Sequence, residues 1–213
     1  MSQYLGAKCK LCRRAGAKLF LKGERCLSSK CAIVKRNYPP GQHGGERQGR
    51  LSEYGLQLRT KQKLKQMYGL REAQFLNTFQ KAERLRGNTA AHLMRLLEQR
   101  LDTIVLRGGF ASSRAQARQL VQHGHFLVND KKVNIPSYQT KVGDTITVSQ
   151  TKTNKTFWKD RSARSTSEVR ELEIPQWLSS DLAQGVMKIL TEPETQQLAD
   201  NMNISLIVEF YSK

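Results

Sequence analysis

Four residues of this chain have the types and spacing for metal chemistry. Cys9, Cys12, Cys26 and Cys31 read C-x2-C-x13-C-x4-C, and no cysteine follows in the remaining sequence. Thiolates are soft ligands, and four of them close a tetrahedral site with no open coordination position, the arrangement of a structural Zn(II) ion rather than a catalytic one. An iron–sulfur cluster also takes four cysteines and stays open as the alternative. Lys8, Lys10, Arg13, Arg14 and Arg25 flank the ligands and would offset the negative charge of a tetrathiolate. The competing reading is four free buried thiols. His43 lies in a glycine-rich loop and is not assigned as a ligand. The first residues lack the apolar stretch of a secretory signal, so a reducing compartment is expected and metal ligation is preferred over disulfides.

A second group of residues has the chemistry to bind phosphate. Arg114 and Arg118 are four apart and share a helix face, and a guanidinium pair at that spacing can engage phosphates bidentately. Lys131 and Lys132 follow at a turn, so a compact one-sided basic surface is expected. Toward the N-terminus, Lys8, Lys10, Arg13, Arg14, Arg47, Arg50 and Arg59 are the candidate contacts. Arg59, Lys61, Lys63 and Lys65 alternate and so diverge around a helix, where simple solvent exposure competes with RNA contact. No Walker loop, His-Glu-x-x-His or Gly-x-Ser-x-Gly pattern is present.

The charge distribution supports a polyanionic partner. The formal net charge is +18. Residues 1–50 hold twelve Lys and Arg against two acids, whereas residues 171–213 hold two against seven. Phosphate neutralisation by a long basic surface releases condensed counterions, which favours nucleic acid. The basic stretches are not coupled to one strongly apolar helical face, which argues against a membrane surface. No apolar run reaches membrane-spanning length. The acidic segment after residue 171 is expected to face protein rather than RNA.

Four regions must position these residues. Residues 1–50 carry the cysteines, have little apolar periodicity and end in a Pro/Gly-rich loop, Tyr38 to Gly45; a bound metal would supply the stability a core does not. Residues 51–91 predict two helices, the first N-capped by Ser52 and stopped at Gly69, the second over about 71–85 with Phe75, Phe79 and Ala82 on one face. Residues 92–150 predict an amphipathic helix that carries Asp102 mid-helix and stops at Gly108-Gly109. A second helix follows, opened by a Ser113/Gln116 capping box and stopped at Gly124. Phe126 to Ile135 then reads as strand, tight turn, strand, and Thr145 to Val148 as a further strand. Residues 151–213 predict a basic linker over Lys152 to Arg170, one helical stretch and a terminal strand from Ile204 to Tyr211.

The run Leu96 to Asp102 together with Arg107 to His125 resembles the RNA-binding module named after ribosomal protein S four. Tyr38 to Gly44, Tyr54 to Arg59, Ile174 to Leu178 and Leu206 to Lys213 resemble the same family, so the resemblance runs in order along nearly the whole chain. It implies an α+β protein: a metal-knuckle, mainly helical N-terminal domain with an inserted α/β RNA-binding module of two helices and a small antiparallel sheet. It implies no enzymatic activity and no small-molecule substrate, but a structural constituent of the bacterial, cytoplasmic small ribosomal subunit. It further implies a primary binder of small-subunit rRNA that nucleates five-prime-domain assembly, next to proteins S three and S five and near the channel through which mRNA enters. The four cysteines resemble the variant of the family that keeps a metal-binding N-terminus. Two positions depart from the family pattern: Asp130 stands where the hairpin turn commonly has glycine, and Asn203-Ile204-Ser205 lacks a usual acid before the last strand. The rival classes are an RNA-modifying enzyme and a free regulatory RNA binder built on the same module. Arg100-Leu101-Asp102 resembles the triplet around the catalytic aspartate of pseudouridine synthases, yet the 62 residues from 152 to 213 are too few for a catalytic domain.

Overall fold

The computed structural model describes residue 4 and residues 6–46, 49–153, 155–163, 174–193, 195 and 202–212, with side chains described except over 160–163. The chain divides into two compact units, residues 1–94 with 195–213, and residues 95–194. The stretch 151–213 is therefore shared between the two rather than standing alone.

The first unit begins with three short helices, α1 (Lys8–Ala15), α2 (Glu24–Leu27) and α3 (Ala32–Lys35). Their buried residues are few: Cys12, Leu19, Cys26, Cys31 and Ile33. A single 3-10 turn, Gln42–Gly45, leads to α4 (Glu53–Met67) and α5 (Glu72–Glu83). The Ser52 hydroxyl accepts from the Gly55 amide at 3.2 Å, which caps α4. Phe75, Phe79 and Ala82 are buried on α5, the helical spacing that the sequence predicts. The last element of this unit corrects the sequence reading: residues 205–211 form a helix, α11 (Ser205–Tyr211), not a strand. Its buried positions, Ile204 and Ile207, are three apart, which is helical spacing. Tyr211 packs on Phe79, ring centroids 4.5 Å apart, and Phe210 lies 5.7 Å from Tyr54 of α4.

Helix α6 (Thr89–Glu98) crosses from the first unit into the second. The single amphipathic helix expected over this stretch is broken at Gln99-Arg100, and α7 (Leu101–Arg107) starts afresh. The break is stabilised from the loop before β3: the Leu101 and Asp102 amides donate to the carbonyls of Tyr138 and Pro136, and the Thr140 amide donates to the Gln99 carbonyl. These bonds satisfy donors that a helix start leaves orphaned. Helix α8 (Arg114–Gln122) follows, then β1 (Phe126–Val128), β2 (Lys131–Lys132), β3 (Thr145–Val148), α9 (Gln150–Thr153) and α10 (Thr156–Ala163).

The linker expected over Lys152 to Arg170 also needs correction as far as residue 163, while 164–170 lie outside the described residues. The described residues from 150 to 189 give α9, α10 and two further strands, β4 (Leu178–Asp181) and β5 (Val186–Ile189). The sheet is five-stranded and antiparallel in the order β2-β1-β3-β5-β4. Phe126 pairs with Val148, Val128 with Ile146, and Ile146 with Met187, so one face presents a row of buried apolar residues. Leu101, Ile104 and Val105 of α7 and Ala117 and Val121 of α8 complete the core, with Phe110, Trp158 and Trp177. No helix among the described residues is long and apolar enough to cross a membrane.

Candidate nucleic-acid interface

In the second unit, α8 and the β1–β2 hairpin position the cations. Ser113 caps α8 by accepting from the Gln116 amide, while Gln116 Oε1 reaches back past Ser113 to accept from the Ser112 amide at 2.7 Å and the Ser112 hydroxyl at 2.8 Å. The box is therefore closed one residue earlier than the sequence suggests. Arg114 is half-buried, and its Nη1 donates at 3.0 Å to the Thr103 hydroxyl, which donates in turn to the Leu97 carbonyl. Arg118, one turn on, is also half-buried.

Asn129 and Asp130 sit at φ 48° and 63°, the left-handed pair a two-residue hairpin turn demands. Asn129 is locked there, donating from Nδ2 to Asp144 Oδ1 at 2.8 Å and accepting from the Thr145 amide at 3.0 Å. The turn delivers Lys131 and Lys132 exposed on β2. Gly124 has φ +65°, and a Cβ there would come within 2.5 Å of Lys132 Cε. The Lys132 chain thus lies across the C-terminal end of α8. Arg114 opens the same nine-residue helix, about 13 Å away along its axis. The cations are strung along α8 rather than gathered at one point, which modifies the compact surface expected.

Two further lysines join this end of α8. His125 is buried, and its Nδ1 accepts from Trp158 Nε1 at 2.9 Å, which leaves the ring proton on Nε2. Burial lowers the His125 pKa, and the charges of Lys152, Lys155 and His123 lower it further. The sequence treats Lys152 and Lys155 as linker; the only hint of their role is that the linker is basic. Beside this surface, Asp102 is unfit for catalysis. Its two oxygens accept from Arg100 Nε at 3.0 Å and Nη2 at 2.9 Å in a bidentate pair whose side chains are 4 and 8% exposed.

In the first unit, Lys10 and Arg14 of α1 are exposed and Lys8 is half-buried; Arg50 and Arg59 are exposed, and Arg47 lies outside the described residues. Arg13 is committed to the protein itself. Its Nε and Nη2 donate to the carbonyls of Tyr38 and Pro39 at 2.8 and 2.9 Å, and its guanidinium lies 4.7 Å from the Tyr38 ring centroid. It pins the Pro/Gly-rich loop to α1. Lys61 is likewise committed: it is buried, donates to Glu72 Oε1 at 2.7 Å and sits 4.2 Å from the Phe210 ring. Lys65 holds the other Glu72 oxygen at 2.7 Å, and Tyr211 donates its hydroxyl to Oε1. Burial alone would raise the Glu72 pKa, but the two ammonium groups overcome it and hold it at about 2. Burial and then the Glu72 carboxylate push the Tyr211 phenol up.

The four cysteines are not in disulfides; Cys12, Cys26 and Cys31 are buried and Cys9 half-buried. Burial raises the Cys12 pKa, and Cys26, Cys9 and Cys31 each add to it, so the four sulfurs share one electrostatic neighbourhood. Amide donors point at two of them: Leu19 bonds to Cys12, and the Lys22 amide donates to Cys26 Sγ at 3.3 Å. The donor chemistry suits a soft metal. As placed, however, no three Cys, His, Asp or Glu side chains among the described residues converge closely enough to hold one. The closed knuckle that the spacing predicts is not formed.

A basic surface built along a helix and a hairpin, beside buried acids Asp102 and Glu98 that are each held in an internal ion pair, defines the class of RNA-binding protein. Comparison with known proteins gives the particular class. Residues 3–98 match the family described as "Ribosomal protein S4/S9 N-terminal domain" and residues 99–146 match "S4 domain". The chain is 49% identical over 213 residues to small ribosomal subunit protein uS4A of Clostridium perfringens strain SM101, with all of both chains covered. It is 50% identical over 216 residues to uS4 of Caldicellulosiruptor bescii and 48% identical over 213 residues to uS4 of Nitrosospira multiformis, again over the full length of each. The chain belongs to the bacterial small ribosomal subunit protein uS4 family.

Proposed function

We propose that this protein is a structural constituent of the small subunit of the bacterial, cytoplasmic ribosome that binds its rRNA without catalysing a reaction. The observation that carries the reading is the full-length likeness to uS4 proteins together with cations strung along α8 and the β1–β2 turn. Recognition works by shape and phosphate, because a string of Lys and Arg over about 13 Å fits a backbone better than a base edge. The residues that carry it in the second unit are Arg114, Arg118, Lys131 and Lys132, joined by Lys152 and Lys155. In the first unit they are Lys8, Lys10, Arg14, Arg50 and Arg59, with Arg47, while Arg13 acts mainly by holding the Tyr38–Pro39 loop. The protein binds early, at the junction of helices in the five-prime domain, beside proteins S three and S five and near the channel through which mRNA enters. The support for that placement is the family resemblance alone.

The cysteines hold one structural metal centre, a zinc ion, with an iron–sulfur cluster as the alternative. Support comes from the C-x2-C-x13-C-x4-C spacing, the shared neighbourhood around Cys12 and the amide donors aimed at Cys12 and Cys26. Ion binding would draw the four side chains inward and stabilise a segment that buries very little.

One experiment tests both parts. The native chain should co-sediment with small ribosomal subunits at moderate salt, and metal analysis of the same material should give one zinc per chain and no visible cluster absorbance. A chain that stays in the supernatant refutes the assignment to the subunit; subunit-bound chain free of metal refutes the metal site alone.

A further inference from the structure

His125 follows α8 and holds the chain at two points well apart in sequence. Its backbone carbonyl accepts from the Ser149 amide at 2.8 Å, and its ring Nδ1 accepts from Trp158 Nε1 at 2.9 Å. Ser149 and Trp158 bracket α9 and the start of α10, and Lys152 and Lys155 lie between them. The backbone between the two points is stitched at every third residue. The Lys152 amide donates to the Ser149 carbonyl at 2.8 Å, the Lys155 amide to the Lys152 carbonyl at 3.1 Å, and the Trp158 amide to the Lys155 carbonyl at 2.9 Å. Fixing both ends and the turns between them removes most of the backbone freedom of the two lysines. The ring bond is directional chemistry beyond apolar packing. An indole N–H only donates, so Nδ1 must accept, and His125 and Trp158 are each only 6% exposed. Phe110, Phe126 and Phe157 surround the indole, so loss of the acceptor leaves its N–H buried without a partner. The charges of Lys152 and Lys155 reach the His125 ring, at the end of α8 that also carries exposed His123 and the Lys132 chain.

We propose that His125 is a positioning residue for rRNA recognition: with Trp158 as its partner it clasps residues 149–158 and so sets Lys152 and Lys155 beside the end of α8. The inference rests on the proposed rRNA-binding function. It gives the buried His125–Trp158 pair a part in that function although neither side chain reaches the RNA. Lysines held in place by the fold lose less freedom on binding than the same lysines on a loose segment, and that difference appears as affinity. His125 therefore acts on RNA only through Lys152 and Lys155.

The test measures binding of full-chain variants to small-subunit rRNA across a salt series at neutral pH, each variant first shown to be folded by tryptophan fluorescence. Lys152→Gln/Lys155→Gln removes two phosphate contacts, which should weaken binding about 15–30-fold near 0.15 M salt and lower the magnitude of the log K versus log salt slope by about 1.4–1.8. His125→Phe and Trp158→Phe break the clasp from either side, and each should lose affinity up to that limit. His125→Asn keeps an acceptor oxygen at the place of Nδ1 and should bind like the unaltered protein. Combining His125→Phe or Trp158→Phe with the double lysine variant separates positioning from a merely structural role, because a residue that acts through the lysines costs nothing once they are gone. Both combinations should bind no worse than the double lysine variant. A further loss in them, or His125→Asn as weak as His125→Phe, overturns the proposal. So does unchanged binding by both His125→Phe and Trp158→Phe. An unchanged double lysine variant beside a weakened Arg114→Glu/Arg118→Glu overturns the clasp and leaves the rRNA reading intact. If none of these variants loses affinity, the rRNA reading itself fails and the clasp with it.

Discussion

Replacing Arg100 by methionine should damage the second unit more than any surface change. The guanidinium donates both Nε and Nη2 to Asp102 within a pair 4 and 8% exposed. Methionine keeps most of the volume but leaves a carboxylate buried with no counter-charge. Breaking such a pair from one side costs about 3–5 kcal/mol, whereas replacing both members by apolar groups is often close to neutral. For a unit of this size, with each kcal/mol shifting the midpoint by about 4–8 °C, the expected fall in Tm is upwards of about 12 °C. The assay is thermal and urea unfolding followed by tryptophan fluorescence. Trp158 and Trp177 are the only two tryptophans, and both lie in the core of the second unit, so the signal reports that unit alone. Arg100→Met/Asp102→Leu should recover most of the loss. A loss under about 1 kcal/mol, or a double variant as unstable as the single one, refutes the claim that mutual neutralisation keeps this pair buried.

Two further expectations concern pH. Glu72 has a folded pKa of about 2, below its unfolded value, so its contribution is present above about pH 4.3 and is lost as pH falls toward 2. The protection factors of the α11 amides, corrected for intrinsic exchange, should fall over that window, and Glu72→Gln should flatten the dependence; an unchanged profile would count against the Lys61–Glu72–Tyr211 clamp. His125 has a folded pKa lowered by burial and by Lys152, Lys155 and His123. The unfolded chain therefore takes up the proton first, and the second unit should lose stability as pH drops below about 6.5. His125→Phe should remove that acid sensitivity while costing about 1–3 kcal/mol for the unpaired Trp158 Nε1 donor. A variant as acid-sensitive as the unaltered chain would assign the effect elsewhere.

The sequence is most readable where a local chemical device sets the backbone. Ser52 and Ser113 mark helix starts because a hydroxyl can serve an orphan amide, and Asn129-Asp130 marks a hairpin because both residues tolerate positive φ. Reading fails where distant residues decide. Leu206 to Phe210 looks like a strand by its β-branched run, yet α4 and α5 offer it the seam of a helix. Leu178-Ser179-Ser180-Asp181 has almost no strand propensity and becomes β4 because β5 supplies the pairing partners. The break at Gln99-Arg100 has no local signal; carbonyls from residues 136 and 138 make it. The candidate site divides in the same way. Arg114, Arg118, Lys131 and Lys132 are visible from spacing. The internal commitment of Arg13 and Lys61 is not, because a cation's partner 25 or 149 residues away leaves no trace in its neighbours.

The return of residues 195–213 to the first unit has a consequence for how the chain is made. During synthesis, α4 and α5 emerge long before α11, and every residue of the second unit emerges in between. The second unit holds all its strands within 95–194 and can close as soon as it is free. The first waits, with Lys61 and the seam of α4 uncovered, until the final helix arrives. A chain truncated before Ser205 would thus carry a finished RNA-binding module on an unfinished support. Such a product would leave Lys61 without its Phe210 and Tyr211 rings and Phe79 without its Tyr211 neighbour.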